Sequence, residues 1–489
     1  IKIEMINWKI IFKILGSLLF IETALLLSSV AVSLFYHEFD SLAFIVSSLI
    51  TLFFAFFFRS LGNEAENSMS RRDAYLVVTL SWTIFSIFGS LPFMITGAIP
   101  HFTDAFFETI SGFTTTGATI IDDVESLPHG LLFWRSMTHW IGGLGIVFFT
   151  IALLPSLVGG SVKIFSAEAT GPIQSKLHPR LSTSSKWIWS VYLILTIACV
   201  VSFKLCGMGL FDSINYSMAI AATGGFSTHN SSILYFHSST IEYLSIFFCF
   251  VSGVNFTLLY MAVAKLRFKA LFRNAEFIFY CSIILGFTAF IMFELIYRNG
   301  YELEKAFRSS LFQVVSFITT TGLFSDDAGK WPHVTWVVLA MCMFFGSCSG
   351  STSGGLKCIR GVLILKIISN QFKQILHPNA VLPLKIDGTN IEIRKRVTLL
   401  AFLAVYLILA VIAAFVMIAA GVDNTNAITI ALSCMSNVGP TLGIEIGPTM
   451  SWSILPDFAK WICSALMLIG RLEIFTVLVI LTPEFWKKT

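Results

Sequence analysis

Residues Ser111–Ala118 read SGFTTTGA, and three later segments of the chain repeat this pattern. They are AIAATGGF at Ala219–Phe226, FITTTGLF at Phe317–Phe324 and SCMSNVGP at Ser433–Pro440. Each contains a glycine (Gly117, Gly224, Gly322 or Gly439), and successive glycines are 107, 98 and 117 residues apart. Each segment follows a short apolar stretch and lies between two long ones. Because glycine lets backbone carbonyls turn towards a common axis, where they can replace the water around a cation, the fourfold recurrence indicates an ion pore.

The composition is that of an integral membrane protein. Of the 489 residues, 56% are hydrophobic and 12% are charged, whereas soluble domains carry roughly 25% charged residues. The formal net charge of +4 is too small to indicate binding to nucleic acid. The nine cysteines include no Cys-x-x-Cys pair, so neither a metal site nor a disulfide framework is indicated.

The lengths of the apolar stretches predict the architecture. A helix needs about 20 apolar residues to cross a bilayer. Stretches of this kind lie at roughly 9–34, 41–58, 74–97, 131–155, 187–206, 241–264, 277–297, 333–366, 397–420 and 457–482. Shorter apolar pieces lie at 102–113, 211–222, 305–318 and 425–435. Their length predicts re-entrant half-helices, which are tolerated at membrane depth only when they are buried in protein or line water.

We therefore predict an all-α polytopic membrane protein with two leading helices and four helix–half-helix–helix pore units in a pseudo-fourfold arrangement around a central pore. Residues 1–4 precede the first methionine and are interpreted as a remnant of the expression vector. The predicted divisions are 5–72 for the two leading helices, 73–160 for pore unit 1, 161–275 for pore unit 2 with a cytoplasmic connector, 276–370 for pore unit 3 with a broken outer helix, and 371–489 for pore unit 4 with a second connector.

The distribution of charge predicts the orientation. Lysine and arginine gather in alternate loops, at 59–72, 163–186, 265–273, 373–396 and 487–488, whereas the opposite loops are acidic or neutral. By the positive-inside rule, both termini are cytoplasmic and all four glycine turns open outward.

Backbone oxygens beside the four glycines are the predicted cation ligands. The side chains at these positions vary while the glycine recurs, so carbonyl groups rather than side chains are expected to face the ion. The half-helices also direct their partly negative C-terminal ends at the pore, which favours a cation. The predicted ligand residues are Thr115, Thr116, Gly117, Ala222, Thr223, Gly224, Thr320, Thr321, Gly322, Asn437, Val438 and Gly439.

Three polar features interrupt the apolar spans. Residues Gly346–Gly355, GSCSGSTSGG, hold four glycines and four serines, which predicts a broken, mobile segment beneath the glycine turns. The alternative is a packing face of small residues between helices. Arg471 lies in the last span, where a cation costs about 2.5–3.5 kcal/mol and is functional by default; the alternative is a structural arginine paired with acids or carbonyls. For Glu22, in the first span, only a hydrogen bond between helices is expected.

With these segments in place, nearly the whole chain from Met5 onward resembles the TrkH family, the potassium-translocating membrane subunits of bacterial Trk systems within the Trk/Ktr/HKT superfamily. In that family four units form one pore whose filters often keep only the first glycine of the channel signature. The resemblance implies K⁺ as the transported ion, no organic cofactor, and a potassium preference associated with glycine at position 117.

The resemblance also implies a gate and partners. It places an obstructing intramembrane loop at Gly346, Ser349, Gly350, Ser353, Gly354 and Gly355, with Arg471 below the filter as an electrostatic gate. It further implies a homodimer in the lipid of the bacterial inner membrane, seated on a cytosolic ring of TrkA, which carries Rossmann-type nucleotide-binding domains.

Two other classes of protein are weighed against a pore. A coupled secondary transporter would show inverted repeats and intramembrane acids on facing broken helices, whereas these four repeats are parallel. Coupling of potassium transport to protons or sodium remains the alternative function. A membrane enzyme would need a cluster of catalytic residues at one membrane face, and the sequence contains none, so no enzymatic activity is expected.

Overall fold

The computed structural model of the chain describes residues 6–65, 69–145 and 181–487, with the side chains of 181–185 excluded. The interpreted remnant at 1–4, the end of the predicted span 131–155 and most of the first connector lie outside these residues.

Two antiparallel helices lead the chain. Helix α1 (Trp8–Phe35) starts where the Asn7 side chain accepts a hydrogen bond from the Ile10 amide, and α2 (Asp40–Leu61) returns along it. Gly16 allows the two backbones to approach closely, because a Cβ atom there would lie 2.7 Å from the Arg59 amide nitrogen. Small residues at such contacts are a common means of packing helices in membranes.

Four units follow. Unit 1 contains α3 (Arg71–Gly89), α4 (Leu91–Ile95), the half-helix α5 (Phe102–Phe113) and α6 (His129–Leu144). Unit 2 contains α7 (Leu181–Leu205), the half-helix α8 (Leu210–Ala222), α9 (Ser239–Ser252), α10 (Phe256–Val263) and the short α11 (Phe268–Phe272).

Unit 3 contains α12 (Ala275–Asn299), the half-helix α13 (Leu303–Ile318), α14 (His333–Phe345) and α15 (Cys358–Leu376). A small antiparallel hairpin of β1 (Lys385–Ile386) and β2 (Thr389–Asn390) follows. Unit 4 contains α16 (Ile393–Ala419), the half-helix α17 (Asn424–Ser436), α18 (Asp457–Arg471), α19 (Phe475–Leu478) and α20 (Pro483–Trp486).

The helical, polytopic fold predicted from the sequence is confirmed. Within the described residues six helical segments are long and apolar enough to span a membrane, or eight if each of two bent pairs counts as one span. All four predicted half-helices are present. Their inner turns are buried, and two large apolar clusters surround them, one formed mainly by the leading helices with units 1 and 4, the other by units 2 and 3.

Two spans predicted as continuous helices are bent in the structure. The span 241–264 bends by 104° between α9 and α10, and the span 457–482 bends by 109° after α18. At the first bend the Asn255 side chain accepts hydrogen bonds from the Thr257 and Leu258 amides and starts a new helix. At the second, Glu473 and Ile474 adopt left-handed backbone angles, with φ of 58° and 54°. Neither bend changes hydropathy, so apolar length alone could not reveal them.

Helix ends recur at corresponding points of the four units. The first helix after each glycine turn ends near a glycine: α6 before Gly145, α9 before Gly253, α14 before Gly346, and α18 one residue after Gly470. From the sequence, a break is predicted only in unit 3, where serine and glycine are densest. A glycine 24 to 31 residues after each turn glycine is the signal in the sequence that could have indicated the other helix ends.

Candidate ion pathway

The four half-helices end in turns of the same conformation. Immediately after or one residue beyond each helix end, a residue adopts the left-handed region: Thr115, Thr223, Thr320 and Asn437 have φ between 55° and 57°. Two residues further on, Gly117, Gly225, Gly322 and Gly439 have φ between 76° and 96°. A side chain strongly disfavours the second conformation, which explains the recurrent glycine.

This geometry corrects the predicted register in unit 2. From the sequence, Gly224 is predicted to match Gly117, but the residue with the matching backbone angle is Gly225. Gly224 instead takes the position of Thr116, as their amides show: Gly224 bonds to Ala219 O and Thr116 to Ser111 O, each five residues back. With two adjacent glycines in the segment, the sequence could not distinguish them; the left-handed residue that ends the half-helix sets the register.

The corrected register also moves Ala222. It lies one residue before the left-handed Thr223 and therefore corresponds to Thr114 and Thr319 rather than to Thr115. The ligand positions in unit 2 thus become Thr223, Gly224 and Gly225. In units 1, 3 and 4 the predicted residues occupy matching positions.

The turns meet in a closed ring. A Cβ atom on Gly117 would collide with the carbonyl oxygen of Gly224, and one on Gly225 with that of Thr321. A Cβ atom on Gly322 would likewise collide with Val438 O, and one on Gly439 with Thr116 O. Each unit therefore contacts the next, and the fourth contacts the first. One backbone oxygen from every unit lies beside a neighbouring glycine, which is the pseudo-fourfold arrangement predicted from the sequence.

The ring opens into a cavity on the side of the loops that follow the turns. The four turn glycines of the ring, Gly117, Gly225, Gly322 and Gly439, line this cavity of about 100 Å³, together with Asp122. Asp122 accepts a hydrogen bond from Ser453 at 2.7 Å. The cavity and the ring together are the candidate path for an ion.

Buried hydroxyl groups hold the turns from behind. Ser111 Oγ donates to Ala118 O at 2.6 Å in unit 1, and Ser316 Oγ makes the same bond to Leu323 O in unit 3. In unit 4, Ser433 Oγ accepts from the Gly439 amide at 3.0 Å. These bonds join the last part of a half-helix to the chain beyond its turn and fix the backbone of the turn.

A buried ion pair that the sequence analysis missed supports unit 1. Arg135 of α6 and Glu108 of α5 are both buried, with Nε and Oε1 2.9 Å apart. Glu108 also accepts from the Ile120 amide, and Arg135 donates to Ser227 O in unit 2 at 3.0 Å. An arginine within the predicted span 131–155 was the available signal. The pair links the turn of unit 1 to the neighbouring unit.

The Gly346–Gly355 segment lies against the inner ends of three half-helices. The Gly354 amide donates to Thr320 Oγ1 at 2.8 Å, and Thr352 Oγ1 donates to Ala221 O at 3.1 Å. A Cβ atom on Gly354 would collide with Ser436 O. The predicted break is present, and the segment is placed directly beneath the ring. The alternative, a continuous helix face of small residues, is excluded.

The other predicted gate residues occupy the same segment. Gly346, Gly350 and Gly355 all have positive φ, between 64° and 74°. Ser353 is buried and hydrogen-bonds with Ser347.

Arg471 links this segment to unit 1. Its guanidinium donates to Thr352 O at 2.8 Å, to Gly142 O at 2.5 Å and to Gly143 O at 2.8 Å. Glu473 pairs with Arg360. Arg471, the last residue of α18, is thus joined both to the end of α6 and to the predicted gate.

Glu22 differs from the expectation for it. Its side chain is fully buried, and within the described residues neither carboxyl oxygen has a hydrogen-bond partner. It lies near Gly89, close to Thr109 and Phe113 of the first half-helix. The expected hydrogen bond between helices is therefore absent from the described part of the chain.

A membrane-embedded ring of four half-helices whose turns direct backbone oxygens around one path defines a four-unit ion-transport protein. The chain belongs to the TrkH family of cation transport proteins, and the family match spans residues 42–488. Its family assignment makes it a cation transport protein.

Relatives and a solved structure agree with this assignment over the full length. The chain is 36% identical to the Trk system potassium uptake protein TrkH of Vibrio parahaemolyticus, covering 98% of this chain and 100% of the relative. It is 34% identical to the protein of the same name from Escherichia coli K12, covering 99% and 100%. The crystal structure of the potassium transporter TrkH from Vibrio parahaemolyticus superposes with a TM-score of 0.88 at 34% identity, covering 98% of this chain and 100% of that one.

Proposed function

We propose that this protein takes up potassium across the bacterial inner membrane through the ring of four glycine turns. The observation that carries the proposal is the closed ring itself, in which each unit supplies a backbone oxygen beside a glycine of its neighbour. A ring of carbonyls can replace the hydration shell of K⁺. Relatives named as potassium uptake proteins, similar over the full length, support the choice of ion.

The proposed ligands are the backbone oxygens at the corrected positions. They belong to Thr115 and Thr116 in unit 1, Thr223 and Gly224 in unit 2, Thr320 and Thr321 in unit 3, and Asn437 and Val438 in unit 4. Gly117, Gly225, Gly322 and Gly439 provide the backbone angles on which this arrangement depends.

The Gly346–Gly355 segment and Arg471 form the proposed gate. The segment contacts half-helices of units 2, 3 and 4, and Arg471 ties it to unit 1. A segment held by all four units beneath the ring is placed to obstruct an ion and, when displaced, to release it.

The remaining parts of the proposal concern the assembly. Both termini face the cytoplasm, the protein is a homodimer, and a cytosolic TrkA ring controls the gate through the basic connectors. The positive-inside pattern of the loops supports the orientation of the termini, and the naming of relatives as members of a Trk system supports a partner subunit.

A flux assay in liposomes tests the function. Purified protein is reconstituted, and uptake of ⁸⁶Rb⁺ is measured while potassium, sodium and pH gradients are varied separately. We expect uptake that follows the potassium gradient and is displaced by K⁺ far more effectively than by Na⁺. Uptake driven by a proton or sodium gradient would replace the channel-like mechanism by symport, and uptake indifferent to K⁺ would contradict the proposal.

A further inference from the structure

One carboxyl group from a neighbouring helix holds both flanks of the Gly346–Gly355 segment. Glu276 is the second residue of α12, and its side chain is buried. Its Oε1 accepts from the Ser349 amide at 2.6 Å and from the Ile359 amide at 3.0 Å. Its Oε2 accepts from the Ser349 hydroxyl at 2.8 Å. Both oxygens are therefore used, and all three donors belong to a different stretch of the chain.

The positions of these donors matter. Ser349 lies inside the segment, and Ile359 is the second residue of α15, beyond the end of the segment. A single carboxyl group thus closes residues 349–359 into a loop. Lys357, the residue before α15, provides no side-chain cap, so Glu276 supplies the acceptor that the first turn of α15 lacks. An acidic group at a helix N-terminus is favourable because the free amides there carry partial positive charge.

The break between α9 and α10 adds contacts at the same point of the segment. Asn255 Nδ2 donates to Ser349 O at 2.5 Å, and the Phe256 amide donates to Gly350 O at 3.1 Å. Ser349 is thereby held through its amide, its hydroxyl and its carbonyl. The segment is fixed at Ser349 on one side and, through Arg471 and Thr352, on the other.

We propose that Glu276 is a positioning residue that keeps the Gly346–Gly355 segment closed beneath the ring. This inference rests on the proposed function of the segment as a gate. Opening requires the three hydrogen bonds to Glu276 to break or to move together with α12, so removal of the carboxyl group favours the open state.

The variants Glu276→Ala and Glu276→Gln test this role. Alanine removes all three acceptors, and glutamine keeps one acceptor oxygen, so its effect is expected to be smaller. The control is Glu294→Gln on the same helix: Glu294 is also buried, but it pairs with Arg298 at 2.7 Å. It has no hydrogen bond to the segment within the described residues.

Two measurements are made on full-length protein in liposomes. The first is ⁸⁶Rb⁺ uptake per folded molecule. The second is modification of Cys348, which lies in the segment and is fully buried, by a charged thiol reagent, followed by peptide mass spectrometry. For Glu276→Ala we expect both rates to rise about tenfold, since a single hydrogen bond to a charged group is sufficient for such a shift. The Glu294→Gln control should match the unmodified protein.

Deletion of residues 350–353 separates this inference from the proposed function. If the deletion raises uptake and Glu276→Ala changes neither uptake nor Cys348 modification, the role of Glu276 is overturned while the gate stands. If the deletion leaves uptake unchanged, the gate itself is contradicted. Adding Glu276→Ala to the deletion should produce no further increase. A lower folded yield with unchanged Cys348 modification in the folded fraction would make Glu276 purely structural and overturn the inference.

Discussion

Replacing Arg471 tests which of three roles its guanidinium has. It could hold the Gly346–Gly355 segment closed by hydrogen bonding, repel a passing cation by its charge, or only support the surrounding structure. Among the described residues it donates to Thr352 O, in the Gly346–Gly355 segment, and to Gly142 O and Gly143 O, in α6. Opening of the segment therefore breaks the bond to Thr352, whereas the bonds to α6 can persist. A hydrogen bond from a charged group contributes about 1.5–3 kcal/mol, so losing it should favour opening by roughly ten- to hundredfold.

In the proposed gate, the charge of Arg471 is expected to add a second barrier to a passing cation. Two unit charges 4 Å apart interact by about 4 kcal/mol at an effective dielectric constant of 20. A guanidinium stays protonated at any working pH, so this barrier is permanent while the side chain remains in place. Arg471→Ala removes both effects and is expected to raise ⁸⁶Rb⁺ uptake per folded molecule by about a hundredfold or more.

Arg471→Lys separates the two contributions. Lysine keeps the positive charge but lacks the planar fork that reaches Thr352 and α6 together. We expect an intermediate rise in ⁸⁶Rb⁺ uptake of about tenfold, because the hydrogen bonds that join the segment to α6 are lost while the positive charge remains. Arg298→Ala, which removes a largely exposed arginine from the far end of α12, serves as the control and should leave uptake unchanged.

One result would refute this reasoning. If both Arg471 variants show lower folded yield and unchanged uptake per folded molecule, Arg471 is only a support for the carbonyls it contacts. Yield and uptake must therefore be measured on the same preparations.

Three further predictions follow from the same geometry. Gly117→Ser and Gly225→Ser should each admit sodium, because a side chain at either φ-positive position collides with a neighbouring carbonyl; an unchanged Rb⁺-to-Na⁺ uptake ratio would contradict their place in the ring. Deleting several residues of Gly346–Gly355 should raise ⁸⁶Rb⁺ uptake and make uptake less dependent on the cytosolic partner. Uptake is measured with and without that partner, and uptake no faster than that of the unmodified protein would contradict the gate. Glu108→Ala should lower the free energy of unfolding by about 3–5 kcal/mol, because it leaves Arg135 buried without its acidic partner. Thermal unfolding in detergent measures this change, and an unshifted unfolding midpoint would show that the pair contributes little.

Much of the fold could be predicted from the sequence because it depends on local properties. A half-helix such as 425–435 is too short to cross a bilayer whatever surrounds it, and an unpaired backbone is costly in lipid. Four such pieces between long spans therefore define four units. The break at Gly346–Gly355 could be predicted in the same way, since its glycines and serines are poor helix formers.

The register of the glycine turn in unit 2 could not be predicted from the sequence. Gly224 and Gly225 are chemically identical, and only the left-handed Thr223 that ends α8 decides which of them meets the carbonyl of Thr321. The bends after Ser252 and Arg471 could not be predicted either, because the hydropathy of the sequence does not change at them. They depend on a cap by Asn255 and on the backbone angles of Glu473 and Ile474.

The sequence by itself thus determined the membrane class and the presence of four half-helices between long apolar spans, since hydropathy, helix length and glycine content act over a few neighbouring residues. Only the tertiary structure decided which groups meet: Glu108 with Arg135, Glu276 with Ser349, and Arg471 with Thr352. These contacts join parts of the chain that are 27, 73 and 119 residues apart. A buried charge must find a partner in the folded protein, but nothing in its own neighbourhood of the sequence specifies which partner that is.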